Sequence, residues 1–186
     1  MSNIAIKGAT TGTGVFTLES PATNTDRTLV LPDEAGTVLT SAGVPASAMP
    51  AGSVIQVVTT GGISSASTTS TSFTSISGAS LSITPQSASN KILVLWSSWG
   101  SNTLVSGYNV NYRHGLFRDS TFLYETLIGT DSGSGGLQAK GSMMFSVIDS
   151  PSSTSAVTYN IQHYTSISSS TGYFNGGQLT LMEIAV

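Results

Sequence analysis

The sequence predicts an all-β protein, a jelly-roll-like β-sandwich over residues 53–186 behind a short extended N-terminal β segment. Three observations predict it. Ser and Thr number 33 and 25 of the 186 residues, and hydroxyl side chains favour strands and turns while weakening helices by competing for backbone hydrogen bonds. Only 8% of residues are charged, against about 25% in an ordinary globular domain, yet the mean hydropathy is +0.18, which excludes a solvated disordered chain. Apolar and hydroxyl positions also alternate in short runs, with turn signals roughly every 8–14 residues and no helical period.

Residues 1–43 hold four short β-type runs, at 4–7, 15–18, 28–31 and 37–40, in Gly/Thr-rich surroundings. "GATTGTG" and "ESPATNTD" between them are turn chemistry. In "RTLVLPDEAGTVLTSAG" two such runs flank Pro-Asp-Glu-Ala-Gly, with Leu29, Leu31, Val38 and Leu39 as the apolar positions that want burial. Strands this short do not build a monomeric core, because isolated hairpins are marginal in water. Their burial is expected against other chains. "VPASAMPAG", residues 44–52, has two prolines and no apolar period, and is expected to be a linker.

From Ser53 onward the runs lengthen. "SVIQVVTT" is a strand, and "TSFTSI" with "ASLSIT" alternates around Ser77 and Gly78. "NKILVLWSSW" is apolar on both faces, which predicts a central strand buried on two sides, with Trp96 in the core. "YNVNYRHGLFR" puts Val110, Tyr112, His114 and Leu116 on one face, and "RDS" is a tight turn into "TFLYETL". "GSMMFSVID", "AVTYNIQHYT" and "QLTLMEIAV" complete the set, separated by "SPSSTS" and "NGG". Roughly eight to ten strands with such spacing define a sandwich or jelly roll.

Several function classes are disfavoured on inventory. The six basic residues are scattered and the net charge is −3, so no electrostatic footprint for nucleic acid exists. No run is long and apolar enough for membrane insertion, the N-terminus lacks a signal-peptide pattern, and there is no cysteine. "GATTGTG" lacks the Lys-Ser/Thr of a phosphate loop and the third glycine of a dinucleotide fingerprint, and no Gly-x-Ser-x-Gly elbow occurs. No cofactor is implied, and no catalytic or metal-binding set. His114 and His163 share strand parity with aliphatic neighbours and are expected to be core histidines. Asp119 and Asp149 precede Ser and are expected to form turns, while Glu183 is expected as a surface residue at a strand end or as an interface residue paired with an Arg or Lys. Trp99, Tyr108, Tyr173 and Phe174 flank the "GSNTLVSG" and "NGG" segments, and are expected either to cap the end of the sandwich core or to be the candidate outer-loop contacts.

The segment "GVFTLESPATNTDRTLVLPDEAGTVLTSAG" resembles the strand–turn–strand pattern of tail-fibre, spike and related virion proteins of tailed bacteriophages. "VPASAMPAGSVIQVV" is similar to the linker and first strand behind it, and "SITPQSASNKILVLW", "LFRDST", "FSVIDSPSSTSAVTYNIQ" and "LTLMEIAV" to the C-terminal domains that follow in phages of marine and freshwater bacteria. The resemblance implies an intertwined homotrimer and a non-enzymatic structural protein of the virion. Its N-terminal segment would attach it to other tail or capsid proteins. The outer loops near 99–108, 131–136 and 169–177 would meet a host-surface glycan or the virion. A trimeric capsid decoration protein is the alternative within the same class, and a polysaccharide depolymerase lies outside it.

Overall fold

The computed structural model describes residues 10–15, 17, 22–26, 28, 44, 48–103, 105–130 and 139–186. The chain divides into two units, Met1–Val38 and Leu39–Val186. Among the described residues the first unit has no strand, and Thr25 N–H donates to Thr23 Oγ1 at 3.2 Å. Leu29, Leu31, Val38 and Leu39, and most of the early β-type runs, lie outside the described residues.

The second unit is all-β. Its strands are β1 (Val54–Thr59), β2 (Ala66–Thr68), β3 (Thr74–Ile83), β4 (Lys91–Asn102), β5 (Val110–Arg118), β6 (Thr121–Thr130), β7 (Ala139–Asp149), β8 (Val157–Thr165) and β9 (Gly172–Ile184). They form two antiparallel sheets, β1-β9-β4-β7 with β2 added beside β9, and β3-β8-β5-β6. Apart from the short β2 excursion, successive strands switch sheets except at the β5–β6 hairpin. This order is that of a jelly roll, and it confirms the expected sandwich. The hairpin turns at Asp119, whose φ of 52° is the left-handed conformation that short polar side chains tolerate. Its Oδ1 accepts the Thr158 N–H at 3.1 Å, which ties the turn to β8.

Alternation fixes the core. Val110, Tyr112, His114 and Leu116 of β5 all point inward, and so do Val157, Tyr159, Ile161, His163 and Thr165 of β8. From the other sheet come Ile92, Val94 and Trp96 of β4, with Phe174, Leu179 and Leu181 of β9. The Phe174 and Trp96 rings stack with centroids 5.7 Å apart. Glycines on β4 and β9 make room for the largest inward ring of β5. A Cβ at Gly172 would overlap the Tyr112 ring, and one at Gly100 would come within 2.6 Å of Met143 Sδ and 3.2 Å of the same ring.

The sequence differs from the structure in two strands. β4 is central, as expected, but only its inner face is closed over, and Leu93 and Leu95 on the other face are half-buried. "NGG" does not separate strands. β9 runs through it, with Gly176 at φ 99° and a register shift opposite Ser98 and Gly100. A bulge absorbs the glycines, so the strand continues to Ile184.

Because Gly172 forms the wall of the Tyr112 slot, Gly172→Ala overpacks the core. It is expected to lower unfolding stability by about 1–3 kcal/mol, read as a lower urea midpoint with an unchanged slope.

Candidate interaction surface

The two sheets present different outer faces. On β3-β8-β5-β6, Phe73 from the segment before β3 lies over Gly115, where a Cβ would meet its ring at 2.5 Å. Phe73 packs edge-on against Phe117 and Tyr164, and lies 5.9 Å from Phe122. Beside this cluster Arg113 is ion-paired with Glu125 and lies over the Tyr164 ring. Away from the β6 edge, where Phe122 and Leu127 are 48% and 47% exposed, that face covers itself.

The face of β1-β9-β4-β7 does not. The register aligns Val57, Met182, Leu93 and Ile148 in one row across all four strands. Val57 is 52% exposed and Ile148 65%. Val54 and Ile184 lie two positions along on one side, and Leu95 with Thr180 and Ser146 on the other. Met144, 60% exposed, extends the stripe on β7. By parity the charged side chains of this face are Lys91 and Lys140, at opposite ends of the sheet. The result is an apolar, uncharged stripe in the middle.

Toward the Lys140 end the register makes a second row, Ser67, Tyr173, Ser101 and Lys140, across β2, β9, β4 and β7. Trp99 stands beside it at the bulge. Trp99, Ser101, Lys140, Tyr173 and Asn175 line an open hollow of about 450 Å³. Ser101 is its buried floor, approached by Asn175 Nδ2 at 3.5 Å, and the Trp99 and Tyr173 rings are its partly exposed walls. A second shallow depression lies on the other side of Tyr173, along Ser65, Ala66, Ser67 and Asn175.

The structure thus brings Trp99 and Tyr173 together and leaves Tyr108 apart. Tyr108 is 57% exposed on the β4–β5 turn and does not line the hollow. Phase along β9 removes Phe174 from the contact set. Adjacent strand residues face opposite ways, so with Tyr173 outward Phe174 is fully buried against Trp96. Ser101, Lys140 and Asn175 were not singled out by the sequence. Their partnership depends on β4 pairing with both β7 and β9, and no local pattern encodes that register.

The polar groups in the interior are structural. His114 and His163 face each other across the β5–β8 ladder. Trp96 Nε1–H donates to His114 Nδ1 at 3.2 Å, and the Tyr112 hydroxyl and His163 Nδ1 share a hydrogen bond at 2.7 Å. Burial lowers the His114 pKa to about 3, with repulsion from His163 adding to it, and lowers His163 to about 4. Both are neutral core histidines, as expected. Asp149 is not a turn former but accepts from Arg118 at 2.7 and 2.8 Å and from the Tyr159 hydroxyl at 2.7 Å, tying the sheets together.

Glu183 also departs from expectation, being fully buried without an ion-pair partner among the described residues. Its carboxylate accepts from Gln56 Nε2 at 2.6 Å, Asn90 Nδ2 at 2.6 Å and the Gln86 N–H at 2.7 Å. Burial opposes the charge, but hydrogen bonds from Asn90, Gln56 and the Gln86 and Ser87 backbone outweigh it and hold the pKa below the usual value. Among the described residues no group of three His, Asp or Glu side chains is placed to hold a metal ion, and no helix is long and apolar enough to cross a membrane.

No protein-family model and no curated protein matches the chain. Among solved structures, it is similar to the infectious bursal disease virus VP2 subviral particle at a TM-score of 0.36 and 14% identity, over 72% of this chain and 38% of that one. A structure of the Gx strain of the same virus gives a TM-score of 0.31 and 12% identity, over 70% and 42%. The chain therefore spans about two fifths of the length of these viral chains, and similarity at this level assigns no function.

The buried His114, His163 and Glu183 all have depressed pKa values, so each contributes stability that is complete above its unfolded value and is lost as pH falls. Stability is expected to be level between about pH 7 and 9, to decline below the ordinary histidine value of about 6.5, and to fall more steeply below about 4.5, where the unfolded chain's Glu183 takes up a proton. Glu183→Gln places a donor among donors, and should cost about 2–4 kcal/mol at neutral pH while removing the acid-side step. Urea titrations of both proteins between pH 3 and 8 check this.

Proposed function

We propose that this protein is a non-enzymatic structural component of a bacteriophage virion, a homotrimeric short fibre or spike. The N-terminal segment, with Leu29, Leu31, Val38 and Leu39, attaches it to other virion proteins, and the jelly roll is displayed outward. The observation that carries the reading is the uncovered apolar row Val57, Met182, Leu93 and Ile148, on a protein with too few charges to protect such a surface. The occupant that fits is a further copy of the same chain. At about 25 cal/mol per Å², burying a few hundred Å² of this face per chain is worth several kcal/mol, and cyclic symmetry closes the contact without leaving a growing end. The tail-fibre-like N-terminal sequence supports the virion setting and the threefold number.

Dilute-solution mass measurement is expected to give about 57 kDa, three copies of the 19.0 kDa chain, falling toward monomer in Val57→Glu and Ile148→Glu. A wild-type mass of one chain would sink the trimer. Removing residues 1–43 is expected to leave a folded jelly roll that no longer co-sediments with particles. Normal particle binding by that deletion would overturn the anchoring role. Copy number separates the two virion settings, since hundreds per particle would assign the protein to the capsid surface instead of a fibre.

A further inference from the structure

We infer that the hollow between Trp99 and Tyr173 is a binding site for an acidic saccharide. Two aromatic side chains on neighbouring strands of one face expose their rings beside a polar floor. Such rings offer flat apolar surface to the C–H faces of a sugar, while hydroxyl and amide groups answer its hydroxyls. Here Ser101 Oγ supplies a donor and acceptor, and Asn175 an amide with both. The volume of about 450 Å³ lies in the small-ligand range of roughly 300–1,000 Å³. Its open form suits a chain that passes over the surface better than a small molecule enclosed by it.

The acidic preference comes from Lys140. It is the hollow's cation, exposed, and has no ion-pair partner among the described residues. Among the described residues no carboxylate lines the hollow to compete for it. An ammonium beside two stacking rings matches a sugar ring bearing a carboxylate, as in uronic and sialic acids. One isolated lysine does not make a nucleic-acid groove, which needs a row of cations.

Position favours the same reading. The chain enters the sandwich beside β1, where Val54 pairs with Ile184, and Ile184 pairs with Lys91. Ser101 is ten residues farther along β4, or about 33 Å at strand rise. The hollow therefore lies at the end of the sheet remote from the entry, and about 26 Å beyond the apolar row at Leu93. A trimer contact centred on that row leaves the hollow's end of the sheet open. The site does not depend on where the protein resides.

The test is binding of the full chain to a glycan array bearing uronic-acid-terminated, sialic-acid-terminated and neutral oligosaccharides, followed by titration of the best acidic and the matched neutral compound. Trp99 reports binding directly, because the second tryptophan, Trp96, is buried. Saturable binding is expected, at least tenfold tighter for the acidic compound, and at least tenfold weaker in Trp99→Ala and Tyr173→Ala. Lys140→Gln should keep the neutral affinity and erase the acidic preference. Absence of binding to every acidic glycan overturns the site, as does acidic binding unchanged in Trp99→Ala. Since these side chains are partly exposed, wild-type melting temperatures in the variants are expected and separate lost binding from lost folding. A monomeric mass with intact sugar binding would remove the trimer and leave this site standing.

Discussion

The pairing of β4 with β9 governs this molecule. The two strands lie side by side at the centre of one sheet, in register from Lys91 and Ile184 to Asn102 and Gly172, with one bulge between. Their inward residues supply Trp96, Phe174, Leu179 and Leu181 to the core. Their outward residues build the apolar row and the aromatic hollow. A slip of one residue would exchange the two sets and place Glu183 on the surface. Residues so far apart in sequence have to meet before this ladder exists, so the fold depends on long-range contacts and belongs among slow-folding topologies.

That register is locked at both ends by devices of different kinds. At one end the Glu183 carboxylate gathers Gln56 of β1 and the Gln86 and Asn90 turn before β4. A buried anion with donors from two distant parts of the chain tolerates little displacement, because each lost hydrogen bond leaves charge unsolvated. At the other end the lock is steric. The Tyr112 ring fits only where Gly100 and Gly172 lie beneath it.

The fold class was legible because strand periodicity is local. The parity of Val110, Tyr112, His114 and Leu116 could be read from eleven residues, and the turn at Asp119 from three. The core placement of the histidines followed from the same parity. What was not legible depends on partners distant in sequence. Phe174 read as a loop aromatic because "NGG" looks like a turn, whereas a bulge carries the strand through it. Glu183 read as a surface or interface residue because its donors come from segments far from it in the chain. The hollow was half visible, since Trp99 and Tyr173 announce themselves as aromatics beside glycines, but Ser101, Lys140 and Asn175 are ordinary residues until three strands align them. Leu93 and Leu95 suggested a strand buried on both sides, and the structure leaves the second side bare.

One further property follows from the way the sandwich is closed. Gly52 N–H donates to the Ala185 carbonyl, and Ala185 N–H to the Ser53 carbonyl, each at 2.9 Å. The two extremities of the jelly roll are thus adjacent rungs of one ladder, and the domain is nearly a closed ring of chain. A ring of this kind is modular in a mechanical sense. It can be spliced into a surface loop of another protein through two neighbouring points, without stretching its host. A pulling force applied at those points would open the β1–β9 rungs one after another like a zipper, instead of shearing the whole sheet at once.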